Sequence, residues 1–244
     1  MAGPADSTFA RRWAGEFHYG ATAARPLPRR WVPHTRPPVR RDDRSPFHVT
    51  AALRRLCSDI VGRCPTFAHL DLSAMLFTFT PSRSAERHGL LARVTPLRFR
   101  DGGLYRRRRG RLYQVQRYFA DGREQMYFLT LCLPRFLDQP FEQKLTTVFH
   151  ELYHIGPKFD GDIRRHEGRY AVHTHSKKEY DERMGELARR YLADHPEPRV
   201  FGFLHATFAE LWDHFGGVYG VTLPQPKMVP VADAGSTVQQ EEHG

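Results

Sequence analysis

The segment at residues 138–157, with the sequence DQPFEQKLTTVFHELYHIGP, constrains the fold more than any other part of the chain. Its apolar residues recur at the spacing of one helix face: Phe141, Leu145, Val148, Phe149, Leu152 and Ile155. Pro140 stands where a helix can begin, and Gly156 with Pro157 stands where it has to stop. The pattern therefore predicts an amphipathic helix packed against a hydrophobic core.

Two histidines lie on the adjoining face of this predicted helix. His150 and His154 are four residues apart, so one imidazole lies a turn above the other, and two such imidazoles can bind one Zn²⁺ at about 2.0–2.1 Å. Glu151 projects beside the metal, where it can take a proton from metal-bound water and pass it to a leaving amine. The sequence thus predicts a zinc cofactor, His150 and His154 as metal ligands, and Glu151 as the catalytic residue.

A catalytic zinc site of this type has a third protein ligand and one open position. The sequence SKKE at 176–179 forms an S-x-x-E capping box that predicts the start of a helix, and His175 immediately precedes it. His175 is therefore the favoured third ligand, with His166 as the alternative and His173 or a helix carboxylate also open. Asp181 is the favoured carboxylate for a hydrogen bond that orients a ligand histidine.

The rest of the chain gives a mixed pattern of helices and strands. Apolar spacing predicts helices near 53–64 and 204–215, and residue types that favour β-structure predict strands at 71–80 and 91–99. Asp121-Gly122 predicts a tight turn that joins strands at 112–119 and 125–133 into a hairpin. The dense basic cluster Arg106–Arg109, with Arg111, reads as a loop before that hairpin.

The 244-residue chain has a formal net charge of +10, and its composition differs between the two ends and the middle. Residues 1–45 are rich in proline and arginine and are expected to form a disordered basic arm; residues 46–222 form the folded domain, and 223–244 a polar tail. The arm and Arg106–Arg109 are the segments through which nucleic acid could bind. A solubilising leader and a solvated loop are the plainer interpretations of the same two segments.

Composition excludes several other classes of protein. No run of apolar residues approaches the roughly 18 that a membrane span needs, so no membrane partner is expected. The cysteines, Cys57, Cys64 and Cys132, are odd in number and lack CxxC spacing, which argues against a disulfide framework or a zinc ribbon. A reducing compartment, the cytoplasm, is the expected location.

Residues 146–187 resemble the minimal zincins of the SprT and Spartan type, which share the HExxH motif, and uncharacterised metallopeptidase families of bacteria and phages. The resemblance rests on HELYH, a short linker and a histidine that opens a helix; Tyr180 follows His175 by five residues where the SprT-like pattern has four. It implies a zincin-like α+β fold in which a small twisted, mostly antiparallel sheet packs on the HExxH helix with additional helices. It also implies an edge strand, within 124–133, that binds a substrate peptide by strand addition.

These observations favour a zinc metallopeptidase that hydrolyses polypeptide substrates and acts near nucleic acid. The alternative is a non-catalytic, zinc-containing nucleic-acid-binding protein, in which a fourth protein ligand closes the metal site. A phage or mobile-element protein whose proteolysis serves assembly or host takeover has the same sequence signature.

Overall fold

The computed structural model describes residues 10–11, 18–19, 45–82, 89–164 and 177–231. The helices are α1 (Val49–Arg63), α2 (Phe141–Tyr153), α3 (Lys177–Ala193), α4 (Pro198–Phe201) and α5 (Phe208–Phe215). The strands are β1 (Ala10–Arg11), β2 (His18–Tyr19), β3 (Phe47–His48), β4 (Met75–Pro81), β5 (Ala92–Pro96), β6 (Tyr105–Arg108), β7 (Arg111–Val115), β8 (Tyr118–Ala120), β9 (Arg123–Glu124), β10 (Tyr127–Leu133), β11 (Val218–Gly220) and β12 (Met228–Val231). The fold is α+β, as predicted. Five of the eight strand pairings are antiparallel.

The central sheet has the strand order β4-β10-β5. β10 is parallel to β4 and antiparallel to β5, and all seven of its residues are buried. A strand whose two faces are both buried is most stable in the middle of a sheet, because its backbone groups then form hydrogen bonds on both sides. The expectation of an edge strand within 124–133 is therefore wrong, because β10 is the central strand of this sheet.

Helices α1, α2 and α3 share one hydrophobic core with the central sheet. α1 begins after His48, whose imidazole accepts a hydrogen bond from the Ala51 N–H, and buries a stripe that includes Leu53 and Leu56. The Phe149 ring of α2 lies 5.8 Å from the Tyr191 ring of α3, measured between ring centroids. Such packing fixes α2 between the sheet and α3.

The arginine cluster is a β-hairpin and not the predicted loop. β6 and β7 pair directly, and Arg109 and Gly110 connect them with φ angles of 49° and 76°. Two successive left-handed residues match the twist of a hairpin, and the glycine adopts this conformation without strain. Arginine is uncommon at this turn position, so the run of arginines in the sequence gave no indication of a turn.

The turn at Asp121-Gly122 is present, but the hairpin around it is short. It joins β8 to β9, whereas β7 pairs with β6 and β12, and β10 joins the central sheet. The predicted helix at 204–215 is also divided, because α5 starts only after Thr207, which caps it in a reciprocal pair with Glu210. No helix in the described part of the chain has the length and apolar character needed to cross a bilayer.

Candidate metal centre

Helix α2 carries the predicted metal-binding residues and is fixed by its own buried face. Leu145, Val148, Phe149 and Leu152 are buried. Lys144, also buried, donates a hydrogen bond from Nζ to the Ala206 carbonyl oxygen over 2.7 Å, which ties α2 to the chain before α5. The opposite end of the helix, with His150 and His154, is therefore held rigidly beside the sheet.

His150 and His154 face one another at the C-terminal end of α2. Their ring centroids are 4.5 Å apart and the rings are inclined by 77°. Potential ligand atoms of His150, Glu151 and His154 all lie within 4.8 Å of one another; in the described part of the chain no other group of three His, Cys, Asp or Glu residues meets that criterion. Imidazole and carboxylate donors suit Zn²⁺, so these residues fit the metal that the sequence predicts.

The Glu151 carboxylate is buried and held by the sheet. It is 8% exposed, and its Oε2 accepts a hydrogen bond of 2.6 Å from the backbone N–H of Val94 on β5. Burial raises the pKa of Glu151 to about 7, although the Val94 N–H and the charge of Arg93 act in the opposite direction. A carboxyl group with a pKa near neutrality can both accept and return a proton.

Asp181 lies beside His150, as the sequence favoured. Its Oδ1 is 3.7 Å from His150 Nδ1, and it reaches there from the first part of α3. A carboxylate on Nδ1 favours the tautomer in which Nδ1 carries the proton and Nε2 has a free lone pair. Asp181 thus approaches the Nδ1 side of the His150 ring.

The chain leaving α2 doubles back against the histidines. Ile155 pairs with Ile163, and the Arg164 N–H donates to the His154 carbonyl oxygen over 2.6 Å. Asp162, within this connection, holds it in place, because its carboxylate accepts hydrogen bonds from the backbone N–H groups of Asp101 and Ile163. The connection therefore returns to His154 just before residue 165.

The predicted third ligands lie in the segment that follows. His175, His166 and His173 fall within residues 165–176, outside the described residues. Arg164, the last described residue before them, bonds to the backbone of His154, and α3 brings Asp181 to His150. The structure thus brings together His150, Glu151 and His154.

A cavity of about 540 Å³ opens beside the histidine pair. Its lining includes Leu91, Ala92, Thr146, His150 and Glu151. Glu151 is thus both held by the sheet and accessible from a cleft, an arrangement typical of a catalytic site.

A model of the family described as "Putative phage metallopeptidase" matches residues 47–194, more than half of the chain. The chain belongs to this family. The matched range runs from β3 to the residue after α3, so it includes the central sheet, α2 and Asp181. Membership in the phage metallopeptidase family indicates a metal-dependent peptidase, which acts on polypeptides. No curated protein and no solved structure matches the chain.

Sequence reasoning predicted a strand at 91–99 but not its position at the edge of the central sheet, beside the candidate metal centre. β5 lies next to α2, and within the described residues it pairs only with β10, so it is one of the two edge strands of the central sheet. The sequence indicated this strand only weakly, because the β-forming residues at 91–99 are interrupted by Pro96. A proline near a strand end is itself typical of an edge.

Proposed function

We propose that the protein is a zinc-dependent metallopeptidase of the zincin type, in which His150 and His154 hold the metal. His175, with His166 as the alternative, is the third ligand. The observation that carries the proposal is the pair of imidazoles 4.5 Å apart next to a buried glutamate at a cleft. Zn²⁺ bound there supplies a Lewis acid for the peptide carbonyl and lowers the pKa of water.

Glu151 is the general base in this mechanism. The Val94 N–H holds Oε2, so Oε1 is left to take the proton of the attacking water and return it to the leaving amine. Asp181 acts through His150, whose ring it orients by attracting Nδ1–H. Each proton transfer is thus assigned to an atom whose position the fold determines.

The edge of β5 offers a site for the substrate backbone. Leu91 O accepts from Cys132 N, and Leu97 N donates to Met126 O, so the odd-numbered residues of this segment face β10. The backbone groups of Ala92 and Val94 face the opposite way, toward α2 and the cleft. A peptide that adds to this edge would lie beside Glu151.

The alternative function, a structural zinc site in a nucleic-acid-binding protein, requires a fourth protein ligand in place of water. The cleft at His150 and Glu151 favours an open coordination position instead. A closed site would also leave the buried carboxylate of Glu151 without a role.

Glu151→Gln tests the proposal, because it preserves the shape of the side chain and removes the base. We expect the variant to bind zinc as the unmodified chain does and to cleave unstructured casein at least about 100-fold more slowly. Glu186→Gln, which changes an exposed carboxylate on α3, is the matched control and should retain full activity. Loss of zinc from Glu151→Gln, or retention of cleavage, would contradict the assigned role.

A further inference from the structure

The sheet formed by β6, β7 and β12 has an unusual charge distribution. Residues 102–120 contain no aspartate or glutamate, and five arginines occur between 106 and 111. β12 pairs with β7 on the side opposite β6 and adds no acidic residue. The sheet is therefore uniformly basic.

The strand register sorts these side chains onto two faces. Arg106 pairs with Tyr113, and Arg108 pairs with Arg111, so all four project to the same side. Met228 and Pro230 of β12 belong to that side and are exposed, whereas Gln114 on the other side is buried. We call this set, the exposed Arg106, Arg108 and Arg111 with the half-buried Tyr113, the arginine face.

The arginine face brings like charges close together. Arg108 and Arg111 lie directly opposite each other, and like charges in that position destabilise a sheet. Within the described residues none of the three arginines of the face forms an ion pair, whereas Arg98 and Arg117 both pair with Glu124. An anionic partner would relieve this repulsion.

We propose that the arginine face binds single-stranded nucleic acid. Arginine binds phosphate oxygens through two parallel N–H groups, and three arginines in one plane can follow successive phosphates. Tyr113 lies among them and supplies a ring on which an unpaired base can stack. Bases in a duplex are already stacked, so the tyrosine favours a single strand. The proposal does not depend on the metal centre.

The test is a titration of a fluorescein-labelled 20-nucleotide oligothymidylate with the full chain, followed by anisotropy over a series of salt concentrations. In R106Q/R108Q/R111Q we expect binding at 0.1 M salt to weaken at least about tenfold. The slope of log K against log salt should fall by about 2, since each phosphate contact in a single strand contributes about 0.7. R106K/R108K/R111K keeps the charges and should keep the slope.

The matched control is R55Q/R189Q/R199Q, which removes three exposed positive charges elsewhere on the surface. It should bind within about twofold of the unmodified chain. Equal losses in the two triple variants, or no loss in R106Q/R108Q/R111Q, would overturn the proposal. Thermal melting of each variant confirms that it is folded.

Tyr113→Leu separates stacking from charge. We expect roughly fivefold or greater weakening for the oligothymidylate, with the salt slope unchanged. The same titration with a 20-base-pair duplex should give weaker binding that Tyr113→Leu does not alter. Duplex binding as tight as single-strand binding, or no effect of Tyr113→Leu on the single strand, would overturn the assignment to single strands.

Discussion

The backbone N–H of Val94 lies 2.6 Å from Oε2 of Glu151 and joins the edge of the central sheet to the carboxylate of the histidine pair. In the proposed mechanism strand β5 has two functions, since it orients the side chain of Glu151 and would offer the neighbouring backbone groups to a substrate. The position of the sheet relative to α2 is therefore part of the proposed chemistry.

Val94→Pro removes this N–H without removing a hydrogen bond to β10, because Val94 faces away from that strand. We expect kcat to fall about tenfold or more while zinc content changes little, since the substitution removes the hydrogen bond that holds Oε2 of Glu151. Val94→Ala keeps the N–H and should remain close to full activity. Equal losses in both variants would show that the side chain, not the hydrogen bond, is what matters.

Asp181→Asn should weaken zinc binding by about 10- to 100-fold, because the carboxylate that orients His150 is replaced by a neutral amide. Competition with a chromogenic chelator measures the affinity directly. Glu186→Gln, on the same helix, is expected to leave it unchanged. Unaltered affinity in Asp181→Asn would mean that the 3.7 Å approach has no influence on the metal.

His175→Ala and His166→Ala rank the two candidates for the third ligand. Removal of the true ligand should reduce zinc from one equivalent per chain to a small fraction, whereas the other substitution should leave stoichiometry intact. Elemental analysis after dialysis gives the answer. Full zinc content in both variants would point to His173 or a carboxylate.

Glu124 should make stability sensitive to acid. Burial alone would raise its pKa, but hydrogen bonds from Arg117 and Arg98 outweigh that effect and hold the pKa below 4.5. The folded state therefore binds this proton less readily than the unfolded state does. Its stabilising contribution is complete above about pH 4.5 and is lost as the pH falls through the lower, folded pKa.

Glu124→Gln should lower the free energy of unfolding at pH 7 by about 2 kcal/mol, because Arg98 is left buried with a weaker partner. Urea denaturation at pH 7 and pH 3.5 measures the difference, which should shrink at the lower pH. Glu197→Gln removes a carboxylate from an exposed ion pair and should change stability little. A difference independent of pH would argue against an ionised Glu124.

The sequence predicted α2 and its histidines well because one local pattern determines both. Apolar spacing defines the buried face, and a separation of four residues places His150 over His154 whatever the rest of the fold does. These are short-range relationships within one helix. The approach of Asp181 to His150 joins two helices, so no local pattern in the sequence determines it.

The pairing of strands was harder to predict, because it depends on long-range contacts. β10 was assigned to a hairpin with its nearest neighbour in sequence, yet it pairs with β4, some fifty residues earlier. The contact between Val94 and Glu151 spans 57 positions and involves a backbone group, so no side-chain pattern could indicate it. Thr207 and Glu210 have the T-x-x-E spacing of a capping box, which can be recognised in the sequence and would have predicted the start of α5 correctly.

The hydrogen bond from the Arg164 N–H to the backbone carbonyl oxygen of His154 holds the connection at 155–164 against the C-terminal end of α2, while Asp181 of α3 approaches the His150 imidazole. An ion bound by His150 and His154 would therefore stabilise both pieces of chain that meet at these histidines. Chelation would then loosen this connection and the first turns of α3, while the central sheet kept its protection against amide hydrogen exchange.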